Sequence, residues 1–343
     1  MKIKLLLLLM ALSNLCFAQY RVLVYHETNG FRHGSINAGI QMFEDLGAID
    51  NRWTVDNSQN SNVFNATNLA QYDVVVWCNT SGNNLLNASE RTAFENYITS
   101  GGGFVGIHAA TDTYRDGSWP FYNELVGAIV QTSPNHTSNN FNATMDVEDT
   151  THPTVSHLGT TWNKNEEYYY WELNGGQLST DNNVLLRVRS TGSNSYDAPR
   201  PITWYKTSMV VNGTSISGFR AFYTALGHNS GDYNGNSDFR TMMENAVLWA
   251  ANDTTLSVEG FLPDEKVSVY PNPVKDMLSI SFENEFVFEQ IQFYDTAGKK
   301  VNARIVHELD DSIHFDIGTW SAGVYFYQVR NKDQVISGKL IKE

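Results

Sequence analysis

The sequence predicts a parallel, doubly wound α/β domain followed by a small all-β sandwich. Three observations carry that reading. Short continuous apolar runs end abruptly in polar residues, as buried parallel strands do where they deliver side chains to a sheet's carboxyl edge. Between residues 20 and 252 these runs alternate with segments of helical period, which implies right-handed crossovers. From Leu256 the alternation stops, and short apolar runs separated by turn residues take over.

At the start of the chain, Lys2 and Lys4 precede the apolar run 5–12, and Phe17-Ala18 stands before Gln19. Residues 1–18 therefore read as an export signal, too short to span a bilayer. Bulky Leu15 before Cys16 argues against a lipid anchor, and no later segment is long enough for a membrane span. With Cys16 removed, Cys78 is the only thiol, so stability must come from packing and not from a disulfide. The net charge of −14 disfavours phosphate backbones and anionic membranes, so no nucleic-acid partner is expected.

Four candidate strands follow one rule. Residues 21–25 run into His26, 72–78 into Asn79, the glycine-bracketed run 101–107 into His108, and 219–224 into Ala225-Leu226-Gly227-His228. Helical spacing recurs in Ile36, Ile40 and Phe43 after Ser35. It recurs in Phe94, Tyr97 and Ile98 after the capping-box pattern Asn87-Ala88-Ser89-Glu90, and again from Phe239 to Ala250 behind Ser237-Asp238. The stretch 131–196, rich in Asn, Thr and Gly, reads as insertions over the sheet's rim, with His152-Pro153 a turn whose imidazole covers the site. Domain limits follow: 19–252 for the α/β domain, 253–264 for a linker and 265–343 for the sandwich. In the last, runs at 267–270, 277–282, 287–294, 313–317 and 324–329 are the strands, and a turn is expected around Gly298. That module holds no cluster of His, Cys and carboxylates, so the chemistry is assigned to the larger domain.

The loop between the first strand and first helix carries His26, Asn29, Arg32 and His33, where backbone N–H groups favour an anion or polar oxygen. Each histidine alone would more often be a hydrogen-bonded loop residue. Convergence with His108 and His228 favours a site, with imidazoles as acid/base groups or as ligands to a divalent metal, zinc first. His26, His33, His108 and His228 are the candidate metal ligands. His108 and His228 are also the candidate catalytic groups, with Glu167 as a second acid/base group. Asn79 and Asp112 complete a substrate-binding rim with Asn29 and Arg32; Asp112 reads equally as a helix cap. The run Glu166-Glu167-Tyr168-Tyr169-Tyr170-Trp171 joins carboxylates to aromatic rings, a combination suited to a carbohydrate cleft or to a strand with buried rings. His136, His157, His307 and His314 have no comparable context.

Residues 20–252 resemble the ThuA-like (trehalose utilisation) family. The resemblance rests on Asn29-Gly30-Phe31-Arg32-His33, on residues 101–112, and on Trp119-Pro120-Phe121-Tyr122 with Leu125-Val126-Gly127. His152-Pro153, Glu166-Glu167-Tyr168-Tyr169 and the stretch 222–228 complete it. It implies a flavodoxin-like fold similar to class I glutamine amidotransferases, and points to Glu167 and Tyr169 rather than Tyr168 as site residues. Amidotransferases place a cysteine nucleophile on the turn after this central strand; here that place holds His108, so glutamine hydrolysis is not expected. The last eighty residues resemble the C-terminal sorting domain of the type IX secretion system. Val269-Tyr270-Pro271-Asn272-Pro273, residues 294–299, Ser321-Ala322-Gly323-Val324-Tyr325-Phe326 and Lys339-Leu340-Ile341-Lys342 carry that likeness, against an Ig-like spacer or carbohydrate-binding sandwich. It implies the type IX machinery as partner and a protein secreted or attached to the outer cell surface. Two functions stay open: a carbohydrate-processing enzyme of hydrolase, lyase or isomerase type, or a non-catalytic sugar-binding or cell-surface protein.

Overall fold

Residues that read as apolar runs form the inner strands of a nine-stranded sheet. The computed structural model describes residues 19–192, 197–252, 267–282, 290–295, 299–309, 311–330 and 335–343. The export signal, the 253–264 linker, residues 287–289 of the expected third sandwich strand and the turn at Gly298 lie outside the described residues. The chain divides into two units, Met1–Leu256 and Ser257–Glu343.

In the larger unit the elements are β1 (Tyr20–Tyr25), α1 (Ile36–Ala48), β2 (Trp53–Ser58), α2 (Ala66–Leu69), β3 (Val74–Cys78), α3 (Ala88–Thr99), β4 (Gly103–Ile107), α4 (Pro120–Val126) and β5 (Ala128–Ile129). They continue as β6 (Phe141–Val147), β7 (Thr161–Glu166), β8 (Gln177–Leu178), β9 (Asn183–Val188), β10 (Arg200–Val211), β11 (Thr214–Thr224), α5 (Ser230–Gly235) and α6 (Ser237–Ala250). The sheet order is β2-β1-β3-β4-β11-β10-β9-β6-β7. Strands β2, β1, β3, β4 and β11 are parallel, the doubly wound half with helical crossovers. The remaining four strands are antiparallel.

Burial follows this division. β3 and β4 are buried at every residue, as strands covered on both faces must be. β7 alternates exposed and buried residues, and its buried face is Trp162, Lys164 and Glu166. That corrects part of the expectation of rim insertions between 131 and 196: β6, β7 and β9 lengthen the sheet, and only the loops flanking them, such as that carrying Asn135, His136 and Asn139, lie over its rim. Two of β7's three inward side chains are charged, which hides the period-2 apolar signal that marks a half-buried strand.

Local signals set the helix ends. Asn87 accepts from the Ser89 and Glu90 N–H groups and Glu90 accepts from the Asn87 N–H at 2.7 Å, so the capping box at α3 is formed. Ser35 makes no side-chain cap; its hydroxyl donates to the Gly227 carbonyl at 3.3 Å, tying the start of α1 to the loop after β11. Inside, Tyr25, Phe64, Trp77, Phe94, Trp119 and Tyr122 form one aromatic cluster under the parallel half.

The smaller unit comprises β12 (Val267–Tyr270), β13 (Met277–Phe282), β14 (Gln290–Asp295), β15 (Lys300–Val301), β16 (Arg304–Glu308), β17 (Ser312–Asp316), β18 (Gly323–Arg330) and β19 (Val335–Lys342). They make two four-stranded sheets, β12-β13-β17-β16 and β15-β14-β18-β19, over a core that includes Leu278, Ile280, Phe293, Phe315, Trp320, Val329 and Leu340. Among the described residues no helix is long and apolar enough to cross a membrane.

Candidate functional site

Parallel register brings three strand ends level. Cys78 at the end of β3 pairs with Ile107 at the end of β4, and Ile107 pairs with Thr224 at the end of β11. The next residue on β4 is His108, and it turns sharply with φ +47°, a backbone region costly for a side chain of this size. Tyr223 donates its hydroxyl to the His108 carbonyl at 2.8 Å, which secures the turn. The imidazole Nδ1 lies 2.7 Å from the Ala225 carbonyl oxygen. A carbonyl only accepts, so Nδ1 carries the hydrogen and, in the neutral ring, Nε2 presents its lone pair to the interior.

Several groups meet that lone pair. Tyr169 Oη is 3.1 Å from Nε2, Glu167 Oε2 3.2 Å and His228 Nδ1 3.3 Å. Glu167 Oε2 is also 3.3 Å from His228 Nδ1. The His33 ring stands edge-on to those of His108 and His228, with centroids at 4.8 and 5.3 Å, and its Nδ1 is buried without a hydrogen-bond partner. One ligand atom from each of His33, His108, Glu167 and His228 lies within 4.8 Å of the others. His108 is fully buried.

Electrostatics follows from this crowding. Burial, reinforced by the neighbouring His108 and His228, pushes the His33 pKa down to about 3, so its ring is neutral at ordinary pH. The hydrogen bond to Glu167 raises His228 against the opposing effect of burial. Burial would raise Glu167, but bonds with His108 and His228 outweigh it and hold the carboxyl below its usual range. His136 approaches from outside, with Nδ1 3.0 Å from Glu167 Oε1 and 2.5 Å from the Thr137 carbonyl.

Beneath the cluster, the fully buried Glu166 holds the two site-bearing segments together. Its carboxylate accepts from the backbone N–H of Glu167 at 3.0 Å, of Gly227 at 2.9 Å and of His228 at 3.1 Å. Lys164 Nζ pairs with Glu166 at 2.7 Å and with Asp232 at 2.6 Å. Burial and then the proximity of Glu166 raise Asp232 to about 6, whereas the Lys164 charge wins over burial at Glu166 and lowers it. Gly227 is required at this corner: its φ is +104°, and a Cβ would stand 2.5 Å from Tyr233 Oη. Above, a cleft of about 320 Å³ is lined by Phe31, His33, Asp112, Asn135, His136, Asn139, Glu167, Tyr169 and His228.

The family model described as "Trehalose utilisation", ThuA, matches residues 21–250. The chain belongs to the ThuA family. A second model, "Secretion system C-terminal sorting domain", matches residues 268–343, so this is a secreted ThuA-like protein with a type IX sorting tail. Its large unit is similar in fold to a ThuA-like protein from Bacteroides uniformis ATCC 8492, with TM-score 0.54, 22% identity and coverage of 69% of this chain and 94% of that one. It is also similar to one from Parabacteroides merdae ATCC 43184, with TM-score 0.51, 18% identity and coverage of 72% and 94%. No curated protein matches the chain.

Of the residues singled out from the sequence, the ThuA-like unit brings His33, His108, Glu167, Tyr169 and His228 together, with Asp112 on the cleft wall bonded to Arg115 at 2.8 Å. His26 is not part of the cluster. It follows β1, which stands two strands from β4, roughly 10 Å at the usual strand spacing, and its carbonyl instead accepts from Arg32 at 2.9 Å. Arg32 is spent on that contact and does not line the cleft. Asn79 is buried one strand over, donating to Tyr233 Oη at 2.9 Å, and Asn29 donates to the Asn83 carbonyl at 2.6 Å. Both tie loops together. His152 does not cover the site; it stacks on Tyr205 with centroids 4.3 Å apart. Tyr168, Tyr170 and Trp171 are buried, which selects the core reading for these rings. His136, passed over in the sequence, joins the site through the bridge that pairs it with Tyr169, a long-range contact with no local signature.

Proposed function

We propose that the ThuA-like unit binds a divalent metal ion through His33, His108, His228 and Glu167, zinc being the first candidate, and acts on a carbohydrate in the cleft above it. The observation that carries this reading is convergence: one ligand atom from each of these four residues lies within 4.8 Å of the others. His108 Nε2 and Glu167 Oε2 stand 3.2 Å apart, and with His108 Nδ1 committed to the Ala225 carbonyl, Nε2 is the ring nitrogen left to a cation. A divalent ion held there would engage both atoms at once. Neutral His33, with a buried Nδ1 that bonds to nothing, offers another nitrogen donor, and a set of three imidazoles and one carboxylate suits zinc in donor type and number. The Ala225 carbonyl on His108 Nδ1 and His136 on Glu167 are the outer partners such ligands need for orientation.

A bound cation supplies a Lewis acid that polarises a carbonyl or hydroxyl oxygen. The chain's own groups do the rest. Tyr169 donates its hydroxyl toward the cluster, and burial followed by the charge of Glu167 holds its pKa far above the usual phenol value, so it stays protonated. Asp112, raised by burial, is the second carboxyl facing the cleft. Thiol chemistry has no place here, because burial pushes the Cys78 thiol up to about 12. The sorting tail is taken to deliver the unit to the outer surface or medium, with 19–252 as the working domain.

Metal analysis of the full chain purified without an affinity tag tests the reading. About one zinc or other divalent ion per chain is expected, and a small fraction of that in His108→Asn, a substitution that tolerates positive φ. A wild-type protein that stays metal-free after incubation with zinc, cobalt and manganese overturns it.

A further inference from the structure

The aromatic residues expected to stack on a sugar are buried, yet one ring at the cleft is not: Phe31 is 67% exposed and lines the cleft beside the four-residue cluster. Its ring stands at 82° to that of His33 with centroids 4.9 Å apart, and most of its surface is open to solvent. The loop that carries it is clamped. Ser81 donates its hydroxyl to the Phe31 carbonyl at 2.6 Å, and the Asn29 and Gly30 N–H groups donate to the Ser81 carbonyl at 2.8 and 3.2 Å. Asn29 adds its side-chain bond to Asn83. The approach at Gly30 is close: a Cβ there would lie 3.1 Å from Ser81 Oγ and 3.2 Å from the Gly82 nitrogen. An apolar ring on a clamped backbone at the mouth of a cleft is preorganised to be covered by a ligand, with little ordering left to lose on binding.

We propose that Phe31 is the stacking platform for a neutral pyranose ring, with Asn135, Asn139 and Asp112 receiving its hydroxyl groups, an inference that rests on the carbohydrate reading above and specifies its ligand. An aromatic face suits the C–H face of a pyranose, whereas carboxamides and a carboxyl exchange hydrogen bonds with hydroxyls. The cleft volume of about 320 Å³ lies within the range of roughly 300–1,000 Å³ usual for small-molecule sites. None of the described residues lining the cleft is lysine or arginine. The nearby Arg115 is consumed by Asp112 and by the Val130 and Gln131 carbonyls. Phosphorylated and uronic sugars therefore find no ammonium or guanidinium partner on the cleft wall, where Asp112 and Glu167 oppose a negative charge, and away from the metal ligands the wall favours uncharged rings.

Titration calorimetry of the zinc-incubated full chain with glucose, galactose, mannose, their methyl glycosides, trehalose and cellobiose, alongside glucose 6-phosphate and glucuronate, tests this. At least one neutral probe is expected to bind, and the two anions at least tenfold more weakly. Phe31→Ala should weaken that binding tenfold or more, and Phe31→Tyr should restore it to within about threefold, with zinc stoichiometry equal in all three proteins. Because the side chain is exposed, neither variant is expected to alter the thermal midpoint. No neutral binder, equal binding by the Phe31→Ala protein, or preference for the anions overturns the platform even if zinc is bound. Phe31-dependent sugar binding by a protein that takes up no metal upholds the platform and removes the metal centre instead.

Discussion

His108 shows how much a single position decides. Its backbone is held at φ +47° by the end of β4, its Nδ1 is committed to the Ala225 carbonyl, and only Nε2 remains to act. His136 has the complementary task, since its Nδ1 fixes Glu167 Oε1 and leaves Oε2 to the cluster. His136→Ala should therefore lower zinc affinity by about 10–100-fold, the usual cost of losing an outer partner of a ligand. Its side chain is 27% exposed, so the metal-free protein should keep its thermal midpoint. Equal zinc affinity in a competition titration with a chromophoric chelator would remove His136 from the site. The strand-end rule made His108 and His228 legible in the sequence, because register across β4 and β11 follows from the apolar runs themselves. The same rule admitted His26 wrongly, since strand order, which decides distance along a sheet edge, is not written in any local pattern. His136 was illegible for the opposite reason: its loop pairs with residues 168–170 through backbone bonds that any side chains could make.

Among the elements, β7 repays closest study. It carries Lys164 and Glu166 inward, and Glu166 then binds the backbone on both sides of the site, that of Glu167 and that of the Gly227-His228 corner. Asp232 in the first turn of α5 closes the network by pairing with Lys164 and capping the helix with Asn229. Removing Glu166 strands three N–H groups and leaves Lys164 with half its compensation. Glu166→Ala is expected to cost roughly 3–5 kcal/mol, in line with breaking a buried ion pair from one side, while Glu166→Gln, which keeps an acceptor oxygen, should cost about half as much. Urea unfolding of the three proteins would decide it, and a loss below about 1 kcal/mol for the alanine variant would show the clamp to be decorative. The parallel half of the sheet was readable because its strands are apolar throughout. The antiparallel strand β7 was not, because it uses its buried face for charges that the loops above it require.

For the larger unit as a whole, acid separates folded from unfolded chains, and His152 supplies a defined part of that sensitivity. Its ring is 8% exposed, stacked on Tyr205 and edge-on to Trp249, with Nδ1 2.8 Å from the Thr154 hydroxyl and Nε2 unpartnered. Burial holds its pKa down to about 4, against 6.5 for a free imidazole. Above pH 6.5 both states are neutral and pH has no effect through this group. Between 6.5 and 4 the unfolded chain binds a proton that the folded one refuses, so stability falls as pH falls; below about 4 both are charged and the loss levels off. Between pH 7.5 and 5.0 the expected loss is on the order of 2 kcal/mol. His152→Phe keeps the stack and removes the proton site, so its unfolding free energy should fall by about 2 kcal/mol less over the same interval. Urea titrations at the two pH values, followed by tryptophan fluorescence, measure the difference directly. Parallel losses in the two proteins would mean that the His152 ring takes its proton without leaving the fold, and that the acid sensitivity of the unit has another source.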